Sequence, residues 1–441
     1  MTQLSGWGRY PRIDCALSAP RDADALARAL ARGPAIARGM GRAYGDSALN
    51  AANTVSMGHF NRFLAFDPAT GTLEVEAGVT LAEVIAAFLP RGWFPQVTPG
   101  TKFVSLGGAI AADVHGKNHH GAGSFGAALD WIDVMGADGT VTRASHDTHS
   151  DLFHWTLGSM GLTGVILRAG LRLQPVESGW IAQTTLPAPS LSAAIDAFEG
   201  NLDAPYSVAW IDCTARGPAL GRSLVMLGRH AGVEDLPPAA RRAPFDVPRR
   251  RARSLPVDLP AFALNPLTLR AFNAAYWWAG NRKAGAALVD WDRYFYPLDA
   301  VAGWNRLYGR RGFLQFQCVL PLPAAAAGLD ALLRAIAARG AGSFLAVLKR
   351  FGAQDSRLSF PMEGYTLALD FPHNRESLTL MDRLDRITAD HGGRFYLAKD
   401  ARLDAATLHA TDPRWSDFAQ MRQKTGLAEA FASAQSQRLA L

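Results

Sequence analysis

Three imidazoles and an ammonium fall within six residues at His115, Lys117, His119 and His120, and glycines surround them. The run reads Val114-His-Gly-Lys-Asn-His-His-Gly-Ala-Gly-Ser-Phe-Gly126. Such side chains can hold a metal, move a proton or donate to an anionic oxygen. The spacing of His115, His119 and His120 could supply two metal ligands from one helical turn. Flanking glycines disfavour that turn, and no carboxylate or cysteine lies close by, so no metal is expected. Donation to a ligand oxygen fits the residues better, with a histidine satisfied by backbone as the plain alternative for His119 or His120. The stretch is also a poor core, because it buries little apolar surface and each glycine costs backbone entropy. Residues of this kind gather where backbone must approach a large, flat, anionic ligand, which points to a flavin dinucleotide.

Two glycine turns precede it. Arg38-Gly-Met-Gly-Arg-Ala-Tyr-Gly-Asp46 could present successive backbone N–H groups to a pyrophosphate, with Arg38 and Arg42 beside the charge. It is not a dinucleotide fingerprint of the Rossmann kind, since GxGxxG is incomplete and no βαβ unit follows. Thr98-Pro-Gly-Thr101 then leads into the small-residue run Gly107-Gly-Ala-Ile-Ala-Ala112. Three such loops in succession are hard to explain by folding alone. Further along, Lys399 in Tyr396-Leu-Ala-Lys-Asp-Ala-Arg402 and Lys349 in Leu348-Lys-Arg-Phe-Gly352 could act as cations or bases. Each also reads as an ordinary surface lysine. Gln315 and Gln317 flank Phe316 and share one face of a strand. Two amides there suit a polyhydroxylated ligand, and an edge strand accounts for them equally.

The elements that must hold these groups follow from periodicity. Residues 21–33 form a helix and Ala35–Arg38 a short buried strand. Leu64–Asp67 and Thr72–Ala77 alternate around a Pro-Ala-Thr-Gly turn, a hairpin pattern. Thr80-Leu-Ala-Glu83 opens a helix with a capping box. Trp131–Met135 and Thr140–Thr142 flank Asp138-Gly139, a second hairpin. Gly158–Gly164 precedes an alternating strand from Val165 to Leu173. After Pro175, strands (Trp180–Leu186, Ser207–Asp212, Phe313–Leu320, Tyr365–Phe371) alternate with alanine-rich helices over 324–339 and 376–391, which suggests one antiparallel sheet.

With 441 residues the chain is too long for one compact core, and 49% hydrophobic against 19% charged residues is ordinary for a folded protein. Cys15, Cys213 and Cys318 lie far apart with no CxxC spacing, which argues against a disulfide framework or a zinc site. No apolar run reaches the roughly 18 residues of a membrane span, and the N-terminus lacks a signal core. Net charge is +6, densest at Arg241-Arg242 and Arg249-Arg250-Arg251-x-Arg253 within a proline-rich segment, 235–260. This segment reads either as a solvated disordered loop or as a basic flap meeting phosphates or anionic lipid. The basic residues are not interleaved with aromatics on a repeated element, so no nucleic acid is expected.

Taken together, Ala37–Asp46, Thr98–Thr101, Val114–Gly126 and Gly158–Gly164 resemble the FAD-binding domain of the vanillyl-alcohol-oxidase superfamily. Within it the chain is similar, nearly end to end, to the flavoprotein (oxidase) subunits of decaprenylphosphoryl-β-D-ribose 2-epimerases. Gly6-Trp-Gly-Arg9, Phe313-Leu-Gln-Phe-Gln317, Leu358-Ser-Phe-Pro361 and Phe395-Tyr-Leu-Ala-Lys-Asp400 extend the match. The resemblance implies a two-domain α+β fold. A bipartite FAD-binding domain (1–176 and 394–441) would embrace a substrate-binding domain (177–393) with an antiparallel sheet.

The resemblance also implies FAD contacts. In the first turn these are Arg38, Gly39, Gly41, Arg42, Tyr44, Gly45 and Asp46. Pro99, Gly100, Thr101, Ser105, Gly107, Gly108 and Ala112 follow. His115, Asn118, His119, Gly121, Gly123 and Ser124 come from the histidine run, then Gly161, Gly164, Val165 and Tyr396. Lys399, His115 and Lys117 would be catalytic, and Lys349, Gln315, Gln317, Thr366 and Ala368 would line the sugar-phosphate pocket.

Covalently flavinylated relatives carry a histidine near position 44, where this chain has Tyr44, and no cysteine lies at 101–106. Non-covalent FAD is therefore expected. Mycobacterial members carry an asparagine and a reactive cysteine where this chain has Thr366 and Ala368, which bears on sugar and lipid specificity.

The implied reaction oxidises the ribose 2′-hydroxyl of a polyprenyl-phosphate sugar to the 2′-keto form. A separate short-chain dehydrogenase/reductase then completes epimerisation to arabinose for the cell envelope. Lys399 would polarise the alkoxide or act as base, with a pKa depressed by an apolar pocket. The expected location is cytoplasmic, with peripheral inner-membrane contact through 235–260. Two other readings stand beside it: a soluble alditol or aldonolactone oxidase using oxygen, and a catalytically idle flavin-binding or lipid-phosphate scaffold.

Overall fold

The structure, a computed structural model, describes residues 1–248, 253–258, 265–340 and 342–441. The chain is α+β, as its patterns require, and among the described residues the strands form two large antiparallel sheets and three small ones. The first large sheet runs in the order Val141–Ser145, Leu129–Met135, Val165–Pro175, Thr72–Glu76, Phe63–Asp67, and Trp93–Pro95 adds to the far end of Val165–Pro175. Alternation sorts its faces. Leu73, Val75, Ile132, Val134, Ala169 and Leu171 are buried in one core. The opposite face carries charge: Asp133 pairs with Arg143 at 2.8 Å and with Arg168 at 2.9 Å. The helix Leu81–Phe88 begins with the expected capping box, Thr80 and Glu83 exchanging both bonds.

The second sheet has eight strands, all antiparallel. Their order is Gly285–Asp290, Trp180–Ala188, Ser223–His230, Tyr206–Ile211, Ala346–Phe351, Gly364–Pro372, Phe313–Pro321, Arg394–Phe395. Helices Leu191–Glu199, Leu322–Arg339 and Arg375–Asp390 cover one face. Their Phe198, Leu329, Leu333, Leu380 and Leu384 pack on Leu314, Phe316, Cys318, Leu348, Leu367 and Leu369. Each fully buried side chain of this kind contributes roughly 1.5–3 kcal/mol. The residues between them point the other way, and on that side the helix Pro266–Arg282 covers one end of the sheet, Tyr276 resting on Trp210.

The C-terminal tail returns to the N-terminal part. Phe431 bridges Ala35 in parallel, Tyr44 N–H donates to the Ala398 carbonyl at 2.9 Å, and Arg438 pairs with both Asp46 and Asp400 at 2.8 Å. Several elements depart from expectation. The strands Ser223–His230, Gly285–Asp290 and Ala346–Phe351 and the helix Pro266–Arg282 carry no strong period and escape a reading by pattern. One helical turn does form at His119–Ala122 despite its glycines. The start of the basic segment is packed: Pro238–Arg241 is helical, and Gly179 N–H donates to the Pro244 carbonyl at 2.9 Å. Arg249, Arg250 and Arg251 lie outside the described residues.

Candidate active site

The face of the eight-stranded sheet away from the three covering helices is roofed by the glycine turns, and between them lies a cavity of about 1050 Å³. Period two places the sheet's contribution. Val208 and Trp210, Gln315 and Gln317, Val347 and Lys349, and Thr366, Ala368 and Asp370 all face in. The opposite wall comes from residues 39–44, 98–101, 103–105, 107–108, 111–112 and 114–115, with Met160, Gly161, Gly164 and Ile166. At one end the turn Tyr396–Lys399 closes it, fixed by the Tyr396 hydroxyl donating to the Ala112 carbonyl at 3.0 Å.

Two glycines show what this wall is built for. Gly164 has φ +144°, a conformation other residues resist, and a Cβ there would meet Val134 and the Met135 carbonyl. Its identity is a folding requirement. Gly100 has neither a positive φ nor any atom within 4 Å of a Cβ position, and it borders the cavity. Nothing in the protein demands glycine at that point, and the space it leaves suits a ligand pressed on backbone.

Arg42 adds a second such observation. Its guanidinium lies 4.2 Å above the Trp7 ring and 5.4 Å from that of Phe103, and its buried Nε has no partner among the described residues. The wall carries four basic side chains (Arg42, Lys117, Lys349, Lys399) against two carboxylates, Asp299 and Asp370. An elongated cavity of glycine backbone with excess positive charge fits a dinucleotide and a phosphorylated substrate.

The charged centre lies where the sheet meets the tail. Lys399 Nζ sits 4.0 Å from the Tyr44 ring centre, over its face. Burial lowers the Lys399 pKa, opposed by the Asp370 carboxylate. Asp370 itself is raised by burial and accepts from Gln315 Nε2 at 2.5 Å. Burial, then the neighbouring Lys399, brings Lys349 down to about 7. Burial, then Lys349, brings Lys117 down to about 7. Lys117 donates to the Tyr294 carbonyl and lies over that ring at 4.1 Å. Burial, with the positive neighbours Lys349 and Lys399 and the adjacent His119, holds His115 well below the usual imidazole range, so it is neutral at pH 7.

A hydrogen-bond chain fixes how that neutral ring is protonated. Thr366 gives its only hydroxyl proton to the Cys318 carbonyl at 2.7 Å, so it can only accept from Gln317 Nε2, 3.2 Å away. The same Nε2 faces His115 Nε2 at 3.1 Å, which must then accept. The ring proton is left on Nδ1, facing Lys349 Nζ at 3.4 Å.

Most of the residues singled out from sequence meet here. Lys399, His115, Lys117, Lys349, Gln315, Gln317, Thr366 and Ala368 all line the cavity, as do Tyr44 and Tyr396. So do Gly39, Gly41, Arg42, Pro99, Gly100, Thr101, Ser105, Gly107, Gly108, Ala112, Gly161 and Gly164. Others stand outside its wall with partners in the fold. Arg38 donates to the Ser5 carbonyl at 2.8 Å, and Gly45 is pressed against the Asp400 carbonyl. Asp46 pairs with Arg438, Asn118 donates to the Gln96 carbonyl at 2.8 Å, and Ser124 donates to Asp113 at 2.5 Å. His119 meets Gln354 Oε1 at 2.7 Å and His120 the Ala204 carbonyl at 2.8 Å, so the three imidazoles diverge. Val165 packs with Met135 and Leu167 in a small core, Gly121 lies in the His119–Ala122 turn and Gly123 caps it.

Sequence reasoning missed Trp7, Trp210, Asp299 and Asp370. Asp370 was open to discovery, since it continues the alternation of Thr366 and Ala368. Asp299 lies within the short 3-10 turn Pro297–Ala300 and has no such signal.

Comparison with known proteins agrees with this geometry. A family model for an FAD binding domain matches residues 16–145, the stretch that supplies most of the glycine wall. The decaprenylphosphoryl-β-D-ribose oxidase of Mycolicibacterium smegmatis is 36% identical over 457 aligned residues, covering 100% of this chain and 97% of the relative. This chain belongs to that oxidase family. Its members are FAD-dependent oxidoreductases of the vanillyl-alcohol-oxidase superfamily. An uncharacterized Streptomyces coelicolor protein from the mprA 5′ region is 34% identical over 82% of this chain and 100% of its own length. Mouse L-gulonolactone oxidase is 28% identical, over only 37% of this chain and 36% of its own. Likeness to the decaprenylphosphoryl-ribose oxidase family therefore spans the sheet wall and the Lys399 turn, whereas likeness to the lactone oxidase covers about a third of the chain.

Proposed function

We propose that this protein oxidises the ribose 2′-hydroxyl of a polyprenyl-phosphate sugar to the 2′-keto form, with FAD bound non-covalently. The observation that carries it is the placement of Lys399, over Tyr44 and beside Asp370, in a cavity whose wall matches the oxidase family along its whole length. Bound FAD would supply the hydride acceptor for the sugar C2–H. The glycine wall with Arg42 would hold it, and Tyr396 and Tyr44 would bracket its reacting end. Non-covalent binding is supported by Tyr44 and by the cavity wall, where no cysteine and only one histidine, His115, occur among the described residues.

The chain's own part is positional and electrostatic. Lys399 faces the reacting hydroxyl, holds the developing alkoxide and takes its proton as the hydride leaves C2. Gln315 and Gln317 bind sugar hydroxyls, Lys349 and Lys117 the phosphate side, and His115 orients the Gln317 amide. Residues 1–176 and 394–441 form the FAD-binding part around a substrate-binding part, 177–393, a division supported by the docking of the tail on Ala35, Tyr44 and Asp46. A short-chain reductase returns hydride to the keto product from the other face, giving the arabino sugar. The protein works at the cytoplasmic face of the membrane without crossing it. No helix among the described residues is long and apolar enough to span a bilayer.

Anaerobic mixing with polyprenyl-phospho-ribose should bleach the flavin and yield a product lighter by two hydrogen atoms. Acid precipitation should release all the FAD into the supernatant. Flavin that stays with the pellet contradicts non-covalent binding, and an unbleached spectrum contradicts the reaction.

A further inference from the structure

The Pro266–Arg282 helix is apolar where a soluble protein should be polar. Leu269 and Asn273 face the sheet, Asn273 donating to Asp212 at 3.0 Å. At 100° per residue the opposite side carries Leu267, Ala271, Ala274, Ala275 and Trp278. Leu267 is 76% exposed and Trp278 61% exposed. A helix apolar on its outward side belongs in a core or against lipid.

Charge decides between possible occupants. Arg270, Arg282 and Lys283 are exposed around this face, and no carboxylate occurs between Asn265 and Val289. A second copy meeting the helix across a two-fold axis would oppose like charges with no carboxylate to pair them. An anionic bilayer complements both the cations and the apolar stripe. Trp278 under the Arg282 guanidinium, at 4.7 Å, is an amphipathic pair suited to the headgroup layer.

The same helix forms the rim of the cavity. Phe272 and Tyr276, each more than 40% exposed, line it from the flank between the outward and inward sides. They rest on Phe344 (ring centres 4.9 Å) and Trp210 (4.7 Å).

We propose that the Pro266–Arg282 helix is a docking surface for anionic phospholipid, which sets the cavity mouth on the bilayer so that a lipid-linked sugar enters headgroup first. The outward stripe sits in the interface while the cations meet lipid phosphates. The tail of the substrate stays in lipid as its sugar passes Phe272 and Tyr276. This use of the surface rests on the lipid-linked substrate proposed above.

Flotation of the full-length holoenzyme with phosphatidylcholine vesicles, with and without phosphatidylglycerol, tests it. Wild type should float with the anionic vesicles, and salt should weaken its binding. Leu267→Ser/Trp278→Ser should lose at least about tenfold in vesicle affinity, and Arg270→Glu/Arg282→Glu should lose binding to the anionic vesicles. Neither pair lines the cavity, so flavin bleaching by a short-chain, water-soluble phospho-ribose should be unchanged in both. Wild type that fails to float, a serine variant that floats like wild type, or a dimer converted to monomer by that variant would each overturn the docking surface. Loss of bleaching in wild type, with flotation intact, would instead remove the catalytic reading and leave the surface standing.

Discussion

The two faces of the eight-stranded sheet are made by the same strands and share no task. On Phe313–Pro321, Leu314, Phe316, Cys318 and Leu320 face helices, while Gln315 and Gln317 face the cavity. On Gly364–Pro372, Leu367 and Leu369 alternate with Thr366, Ala368 and Asp370 in the same way. One face is dry and holds the fold together. The other carries lysines, a carboxylate and amides whose burial costs stability, and on the proposed function they supply the chemistry. Neighbouring positions should therefore give opposite phenotypes.

The largest effect should come from Lys399→Ala. Losing the group proposed to handle the hydroxyl proton should slow flavin reduction by roughly 10²–10⁴-fold, while flavin content and thermal stability hold. Near-normal reduction in stopped flow would remove Lys399 from the reaction. Leu367→Ala, on the dry face, should do the reverse. It should cost about 2–5 kcal/mol by chemical denaturation and leave reduction per bound flavin within a few-fold. A large rate loss with unchanged stability would show that the two faces are not separable.

A smaller effect concerns pH. Lys349 and Lys117 are depressed by burial from 10.5 to about 7 in the folded protein. Between about 7 and 10.5 the unfolded chain therefore binds more protons, so these two lysines make stability rise with pH through that window. Below it both states are protonated, and the full penalty of burying the ammoniums remains. Lys349→Met should flatten the rise in flavin-free protein, measured by denaturation at neutral and mildly alkaline pH. An unchanged slope would mean that Lys349 is charged in the folded state.

The sequence showed elements where one period dominates: both hairpins near the N-terminus, the capped Leu81–Phe88 helix and the strands carrying Gln315 and Thr366. It also exposed the glycine turns, because their cost has no return in the core. What it could not show is proximity. Lys349 and His115 are 234 positions apart and meet only because Ala346–Phe351 adds to the middle of the sheet. Glycines needed by the fold, such as Gly164, look the same in sequence as Gly100, which the fold does not need. The Pro266–Arg282 helix was hidden for another reason. Apolar residues surround it, and no polar face sets a period.

The central claim is that this cavity takes a lipid-linked phospho-sugar rather than a free polyol. Anaerobic flavin reduction measured side by side with polyprenyl-phospho-ribose and with free alditols tests it most directly. The account predicts bleaching by the lipid-linked sugar and none by the alditols. Rapid bleaching by an alditol, with the phospho-sugar inert, would contradict it.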